Sequence, residues 1–386
     1  MMRILIVHSR YRSGSASGEN QVVEDEARLL RDGGHEVVVH SPTPQVESRA
    51  DVLRAARDAI WSRESVRDVK TLNRTHHFDI VHCHNILTGL SPSVLWAAKS
   101  EGIPTVMTLH NYRLMCLPGT FLRDGKVCEA CLGRVPWRGA RYSCYRESAA
   151  ASTVLGTSVS MHRMASTFDA VELFLAVSSF VKEKHIQGGL SRDRIEVKPN
   201  FSWPLARSKR PGDYFLYMGR LAPEKGVATL LEAWNRLNDV QLLVVGDGPA
   251  GDDLRRKVPS SARFLGTVPH SRIGELLSGA RALMVPSLWY EGAPRSILEA
   301  FSAGVPVLAS RIGALPEVVS ESVSGLLVEP GDSEAWLDAV RKMEDDRLAL
   351  QLAEGAHDTY ERLYTPEIAL RQLEGAYRRV LVNKKA

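Results

Sequence analysis

Five cysteines in 386 residues are too few for a disulfide framework, and their odd number argues further against one. No apolar stretch approaches the roughly 18–20 residues that a membrane span needs. The uncharged stretch that begins at Ser148 is diluted by Ser, Thr and His and ends at Arg163. The opening apolar run, Ile4 to Val7, is too short for the core of a secretory signal. A large excess of one charge is also missing: 49 Lys+Arg against 45 Asp+Glu leave +4, which argues against a dedicated nucleic-acid binder. No Asp-x-Asp occurs, no repeat of solenoid period and no low-complexity tract. With 44% hydrophobic and 24% charged residues the composition is that of a globular chain. The expected location is the cytoplasm, with peripheral attachment at the inner membrane face as an option.

At roughly 100–200 residues per domain the length predicts two domains. Apolar runs that suit buried parallel strands recur at Arg3–Ser9, His35–His40, Asp79–His84, Pro104–His110 and Leu173–Ser178. Helical patterns separate them. The first follows a Gly/Ser-rich loop, Ser13–Gly18, carries Val22, Val23, Ala27, Leu29 and Leu30 on one side, and ends at Gly33-Gly34. A second series runs through Tyr214–Met218, Gln241–Val245, Ala262–Leu265, Ala282–Val285 and Val305–Ala309, with helical patterns over 226–237, 271–279, 294–303 and 333–345. Such alternation predicts α/β architecture with parallel sheets. We expect two doubly wound domains, 1–200 and 201–365, a linker around Ser202 to Gly212, and a helical tail over 366–386. Ligands of such domains bind at the carboxyl ends of the strands, so candidate residues are those just after strands.

Three motifs stand there. Gly246-Asp-Gly248-Pro-Ala-Gly251 satisfies G-x-G-x-x-G, but no acidic residue ends the next strand to hold a ribose, and Pro249 removes a donor from the turn. Gly219-Arg-Leu-Ala-Pro-Glu-Lys-Gly226 follows a strand and precedes a helix, and its two cations, Arg220 and Lys225, make an anion site; a solvated pair with Glu224 is the plainer alternative. Glu291 and Glu299 flank Pro294, Glu291 in the loop and Glu299 on the helix. Two carboxylates beside the amides of Gly292 and Ala293 suit a polyol that carries negative charge, such as a nucleotide sugar. The helix dipole would explain Glu299 poorly, since it lies about two turns in.

Together with Gly18-Glu19, Thr108-Leu-His110, Ala176-Val-Ser178 and Lys198-Pro-Asn200, these motifs give nearly the whole chain a resemblance to the GT4-type glycosyltransferases of GT-B fold. The resemblance implies two Rossmann-like domains facing a central cleft, with the C-terminal helix packing back toward the N-terminal domain. It implies transfer of a sugar from a UDP- or GDP-sugar to a carbohydrate or lipid-linked glycan acceptor, with retention of configuration. Arg220 and Lys225 match the positions that hold the donor diphosphate, Glu299 the ribose position, and Glu291 the position beside the donor-sugar hydroxyls. Gly18 matches the glycine that approaches the phosphates, and His110 a histidine near the reaction centre. Arg295 departs from the family pattern, where a small or apolar residue is common; it would contact an anionic ligand or point outward. With Arg220 and Lys225 available to neutralise the leaving diphosphate, no catalytic metal or other cofactor is expected. A sugar-nucleotide epimerase of related architecture and a non-catalytic carbohydrate-binding protein are the alternatives.

Two features lie outside that pattern. Cys116, Cys128, Cys131 and Cys144 cluster in a long loop segment, with Cys83 apart. A structural zinc, four reduced thiols and disulfide use all remain open for them. Between Arg123 and Arg146, six cations face two acids, with Phe121, Trp137, Tyr142 and Tyr145 interleaved. Such a segment suits an anionic membrane or a phosphorylated acceptor, or is a solvated basic loop.

Overall fold

The computed structural model describes residues 1–10, 18–42, 48–87, 89–237, 239–256 and 258–383. Of the expected Ser13–Gly18 loop only Gly18 falls among them, as the first residue of the helix Gly18–Asp32. The chain divides into two compact units. One comprises Met1–Phe121, Cys128–Lys198 and Leu370–Ala386; the other comprises Pro199–Ala369 and Leu122–Val127.

Each unit is built on a six-stranded parallel sheet. In the first the order is Glu36–His40, Arg3–Val7, Ile80–Cys83, Thr105–Leu109, Leu173–Ala176, Ile195–Val197. In the second it is Ala262–Gly266, Gln241–Val245, Tyr214–Met218, Ala280–Val285, Val307–Ser310, Gly325–Val328. Helices cover both faces of a doubly wound sheet, so its inner strands are apolar on both sides. Ile4, Leu5, Ile6 and Val7 are accordingly all buried.

The period of two is visible in how the second core splits. Phe215 and Tyr217, Leu242 and Val244, Ala282 and Met284 face one way, onto Leu230 and Trp234 of the helix Val227–Trp234 and Trp336 of Ser333–Lys342. Leu216, Val245, Leu283 and Val285 face the other, onto Ile297 and Phe301 of Arg295–Ser302 and Tyr360 of Asp346–Leu363. The Ser202–Gly212 segment is tied into this second unit: Tyr360 Oη donates to the Ser202 carbonyl, and the Ser208 amide to the Ala303 carbonyl.

From Leu370 onward, the C-terminal helix Pro366–Asn383 belongs to the first unit. Glu374 meets His35 at 3.0 Å, the Tyr377 hydroxyl meets His82 at 2.7 Å, and Arg379 pairs with Glu196.

In each sheet the strand order reverses once, between Arg3–Val7 and Ile80–Cys83 in the first and between Tyr214–Met218 and Ala280–Val285 in the second. At such a switch point the connections leave in opposite directions and open a crevice beyond the strand ends. The residues delivered there are His8 and His84 in one unit, Arg220 and Ser287 in the other.

Candidate active site

In the second unit the segment after Met218 runs as a loop through Arg220 and a single 3₁₀ turn, Pro223–Lys225, before the helix Val227–Trp234 begins. Gly226 joins them with φ of +70°, and a Cβ there would collide with the Pro286 carbonyl oxygen. Only glycine lets Lys225 lie this close to the neighbouring strand end. Gly246 does a related job at φ +127°: a Cβ would strike the Gly219 carbonyl oxygen. The amide of Gly219 donates to Val245, and that of Leu221 to Asp247. The glycine-rich stretch that mimics a dinucleotide fingerprint thus supports the loop that carries Arg220. Arg220 itself is exposed.

Lys225 Nζ donates to Glu291 Oε1 at 2.7 Å. Ser287 Oγ and Trp289 Nε1 donate to the same oxygen at 2.6 and 2.8 Å. Lys225 also lies 5.0 Å from the centre of the Trp289 ring, a cation–π contact. Glu291 is buried. With all three bonds on Oε1, Oε2 is the oxygen that can accept from a hydroxyl. The Glu291 carbonyl accepts from Ala314, and the Ala293 carbonyl from Asn200 Nδ2 at 3.3 Å. Gly292 and Ala293 are half-buried in the loop that leads to Pro294. Pro294 is the residue before the helix, which starts at Arg295, and Glu299 lies one turn in. Arg295 neither points outward nor stands alone: its Nη2 donates to Glu299 Oε1 at 3.0 Å, and both side chains are nearly buried.

In the first unit His110 follows the strand Thr105–Leu109. Its Nε2 is 2.8 Å from His84 Nδ1, and both line a small pocket with Asn85, Asn111 and Arg113. Burial pushes His110 below the usual histidine range, against the opposing pull of Glu19 and Glu26. Gly18 is exposed at the start of its helix, with open space where a Cβ would be. Glu26, His82, His84 and Lys198 form a fully buried polar cluster that the sequence reading did not single out. One signal was available: Glu26 falls on the apolar stripe with Val22, Val23, Leu29 and Leu30, where a lone acid demands a partner.

The four clustered cysteines differ in burial. Cys116 is buried, which pushes its thiol up to about 11, while Cys128, Cys131 and Cys144 are half-buried, and none of the four is in a disulfide. Zinc–sulfur bonds of about 2.3 Å in a tetrahedron require sulfurs about 3.8 Å apart. No three of these sulfurs lie within 4.8 Å of one another. The interleaved aromatics also divide. Phe121 is a core residue packed on Tyr112, whereas Trp137 and Tyr142 are about half exposed beside exposed Arg138 and Arg141. Among the described residues no helix is long and apolar enough to cross a membrane.

Two family models match the chain: Glycosyltransferase Family 4 over residues 16–201 and Glycosyl transferases group 1 over residues 212–346. The chain is 28% identical to a glycogen synthase of Mycobacterium tuberculosis, over 91% of this chain and 88% of that one. It is 24% identical to the UDP-Gal:alpha-D-GlcNAc-diphosphoundecaprenol alpha-1,3-galactosyltransferase of Escherichia coli, over 84% and 81%. Among solved structures, Anabaena Alr3699/HepE in complex with UDP and glucose aligns with a TM-score of 0.69 at 19% identity, over 97% of this chain and 99% of that one. These matches are to transferases and give the epimerase alternative no support. With two parallel-sheet units, each carrying its polar cluster at a switch point, the chain belongs to the GT4-type glycosyltransferases of GT-B fold.

Proposed function

We propose that the protein transfers a sugar from a nucleoside-diphosphate sugar, UDP- or GDP-linked, to a glycan or lipid-linked acceptor, with retention of configuration and without a catalytic metal. The observation that carries this reading is the Lys225–Glu291 pair, pinned by Ser287 and Trp289 at the carboxyl end of a central strand. A buried carboxylate with one oxygen spent on a cation and the other open to a hydroxyl suits a ligand that is sugar at one end and phosphate at the other. The solved neighbour holds UDP and glucose, and the galactosyltransferase relative is named for a UDP-sugar and a lipid-linked acceptor.

In this reading Arg220 and Lys225 hold the diphosphate, and their charge stabilises it as it leaves. Glu299, steadied by Arg295, accepts from the ribose hydroxyls. Glu291 Oε2 and the amides of Gly292 and Ala293 address the donor sugar. Gly18 allows close approach to the phosphates, and His110 stands at the reaction centre. The bond from the anomeric carbon to the phosphate oxygen breaks, and the acceptor oxygen bonds to the same face of that carbon. The acceptor proton passes to the departing phosphate, so no strong protein base is required. The exposed Trp137 and Tyr142, with Arg138 and Arg141, support peripheral contact with an anionic membrane that carries the acceptor.

The test is turnover of UDP- and GDP-sugars with glycan and lipid-linked acceptors in the presence of chelator, with the product anomer read by NMR. The expected result is transfer that survives chelation and keeps the donor's anomeric configuration. An inverted product, or a strict Mg²⁺ requirement, would overturn the corresponding part of the reading.

A further inference from the structure

Glu26 is fully buried, although an unpaired carboxylate in that position would be costly. Burial drives its carboxyl up, but Lys198 outweighs that and holds it below the usual carboxylate range. Glu26 is therefore ionised. Its Oε1 accepts from Lys198 Nζ, itself buried. Its Oε2 is buried and makes no hydrogen bond. Facing Oε2 at 3.4 Å is His84 Nε2, which is also buried and also without a hydrogen bond. The other nitrogen of His84, Nδ1, is the one that meets His110 Nε2 at 2.8 Å. His82 does not compete for the carboxylate. Its Nδ1 meets the Tyr377 hydroxyl and its Nε2 the Thr108 hydroxyl, each at 2.7 Å, while Nδ1 stays 3.9 Å from Glu26 Oε2.

The donor and acceptor rules fix the order of protons. An ionised carboxylate oxygen only accepts, so the His84 proton sits on Nε2. A neutral imidazole carries one ring proton, so His84 Nδ1 accepts and His110 Nε2 donates. Burial keeps both rings neutral by pushing each below the usual histidine range. The 3.4 Å separation is a charge–dipole contact between the carboxylate oxygen and the imidazole N–H edge rather than a hydrogen bond. We propose that Glu26 is a positioning residue: acting through His84, it holds His110 as the Nε2–H tautomer and leaves His110 Nδ1 as a bare acceptor. Its consequence for catalysis rests on the reading that His110 stands at the reaction centre. There His110 would accept a hydrogen bond from a sugar hydroxyl and could not donate one.

A cation is the competing use of this cluster, since Glu26 Oε2, His82 and His84 each bring one ligand atom within 4.8 Å of the others. Lys198 argues against it, because the carboxylate charge is already neutralised and a divalent ion would meet the ammonium.

The experiment is ¹⁵N–¹H correlation of the imidazole side chains in the full-length protein at neutral pH, for wild type and Glu26→Gln. The expected wild-type spectrum shows His84 and His110 both protonated at Nε2. In Glu26→Gln the amide oxygen accepts from Lys198 and the amide nitrogen donates to His84 Nε2, so both rings should switch to the Nδ1–H form. Wild-type His110 protonated at Nδ1, or a spectrum unchanged in Glu26→Gln, would overturn the proposal, as would one equivalent of tightly held divalent metal in the purified protein. In turnover assays Glu26→Gln should lower kcat at least about tenfold with donor KM within about twofold, and Glu26→Asp should recover most of it. Lost turnover with unchanged tautomers would sink the relay and leave the transferase reading standing. Absence of transfer by wild type from every donor would sink the transferase reading, while the spectra still decide the tautomer order.

Discussion

Lys225 and Glu291 were legible in the sequence because a cation and an acid just after strands announce a ligand site. The sequence did not show that the two bind each other, because their partners Ser287 and Trp289 are ordinary residues until the fold brings them to one carboxylate oxygen. Lys225→Ala should therefore do two things. It should lower kcat/KM at least tenfold, a lost transition-state donor being worth about 3–4 kcal/mol. It should also reduce thermal stability by about 1–3 kcal/mol, because a buried acid loses its cation; an unchanged melting temperature would contradict the geometry. Glu299 and Glu291 should separate in kinetics. Glu299→Gln should weaken binding of free nucleoside diphosphate, while Glu291→Gln should leave that binding intact and cut turnover. Calorimetry with the diphosphate alone checks this, and wild-type affinity in Glu299→Ala would remove the ribose assignment. Glu26 was missed for a different reason: its meaning depends on Lys198 and His84, which are distant in sequence and meet it only in the fold.

At the scale of elements, the long apolar runs gave ten of the strands, because a strand buried on both faces has no room for polar residues. Neither the short antiparallel pair Leu122–Arg123 and Lys126–Val127 nor two strands of the six-stranded sheets were legible. Ile195–Val197 is three residues long with Glu196 at its centre, as an edge strand permits, and Gly325–Val328 is a four-residue run that periodicity alone does not separate from a loop. The helix Asp346–Leu363 was also passed over, although Leu352, Ala356 and Tyr360 share a buried stripe. Residue types announce a turn after Met218 but not its geometry: the loop contains a 3₁₀ turn and a left-handed glycine before its helix begins. Gly226→Ala should cost more than about 2 kcal/mol, combining left-handed strain with a backbone collision. Urea unfolding measures it, and a loss under about 0.5 kcal/mol, the scatter of a neutral surface change, would contradict the close approach.

For the whole molecule, buried histidines set the response to acid. Burial pushes His82 down to about 4, and His84 lies well below the usual 6.5. The unfolded chain takes up protons near 6.5 that the folded chain refuses. Stability should be fully present above about pH 6.5 and fall as pH drops toward 4; a flat urea midpoint across that window would contradict their burial. The modest net charge of +4 hides a local basic surface, and that surface gives a second whole-molecule expectation. Binding to phosphatidylglycerol vesicles should weaken with salt and fall in a Trp137→Ala, Arg138→Ala, Arg141→Ala variant; equal sedimentation of that variant and wild type would remove the membrane contact. In the proposed reaction the Arg220 and Lys225 cations drive sugar transfer by stabilising the nucleoside diphosphate as it leaves. The most direct measurement is mass spectrometry of glycoside and free nucleoside diphosphate formed from a UDP- or GDP-sugar and acceptor in EDTA, by wild type and Lys225→Ala. Wild type should give equimolar glycoside and diphosphate, and the variant the same products at least about tenfold more slowly; donor consumed only to free sugar, or an undiminished rate in Lys225→Ala, would contradict this role of the two cations.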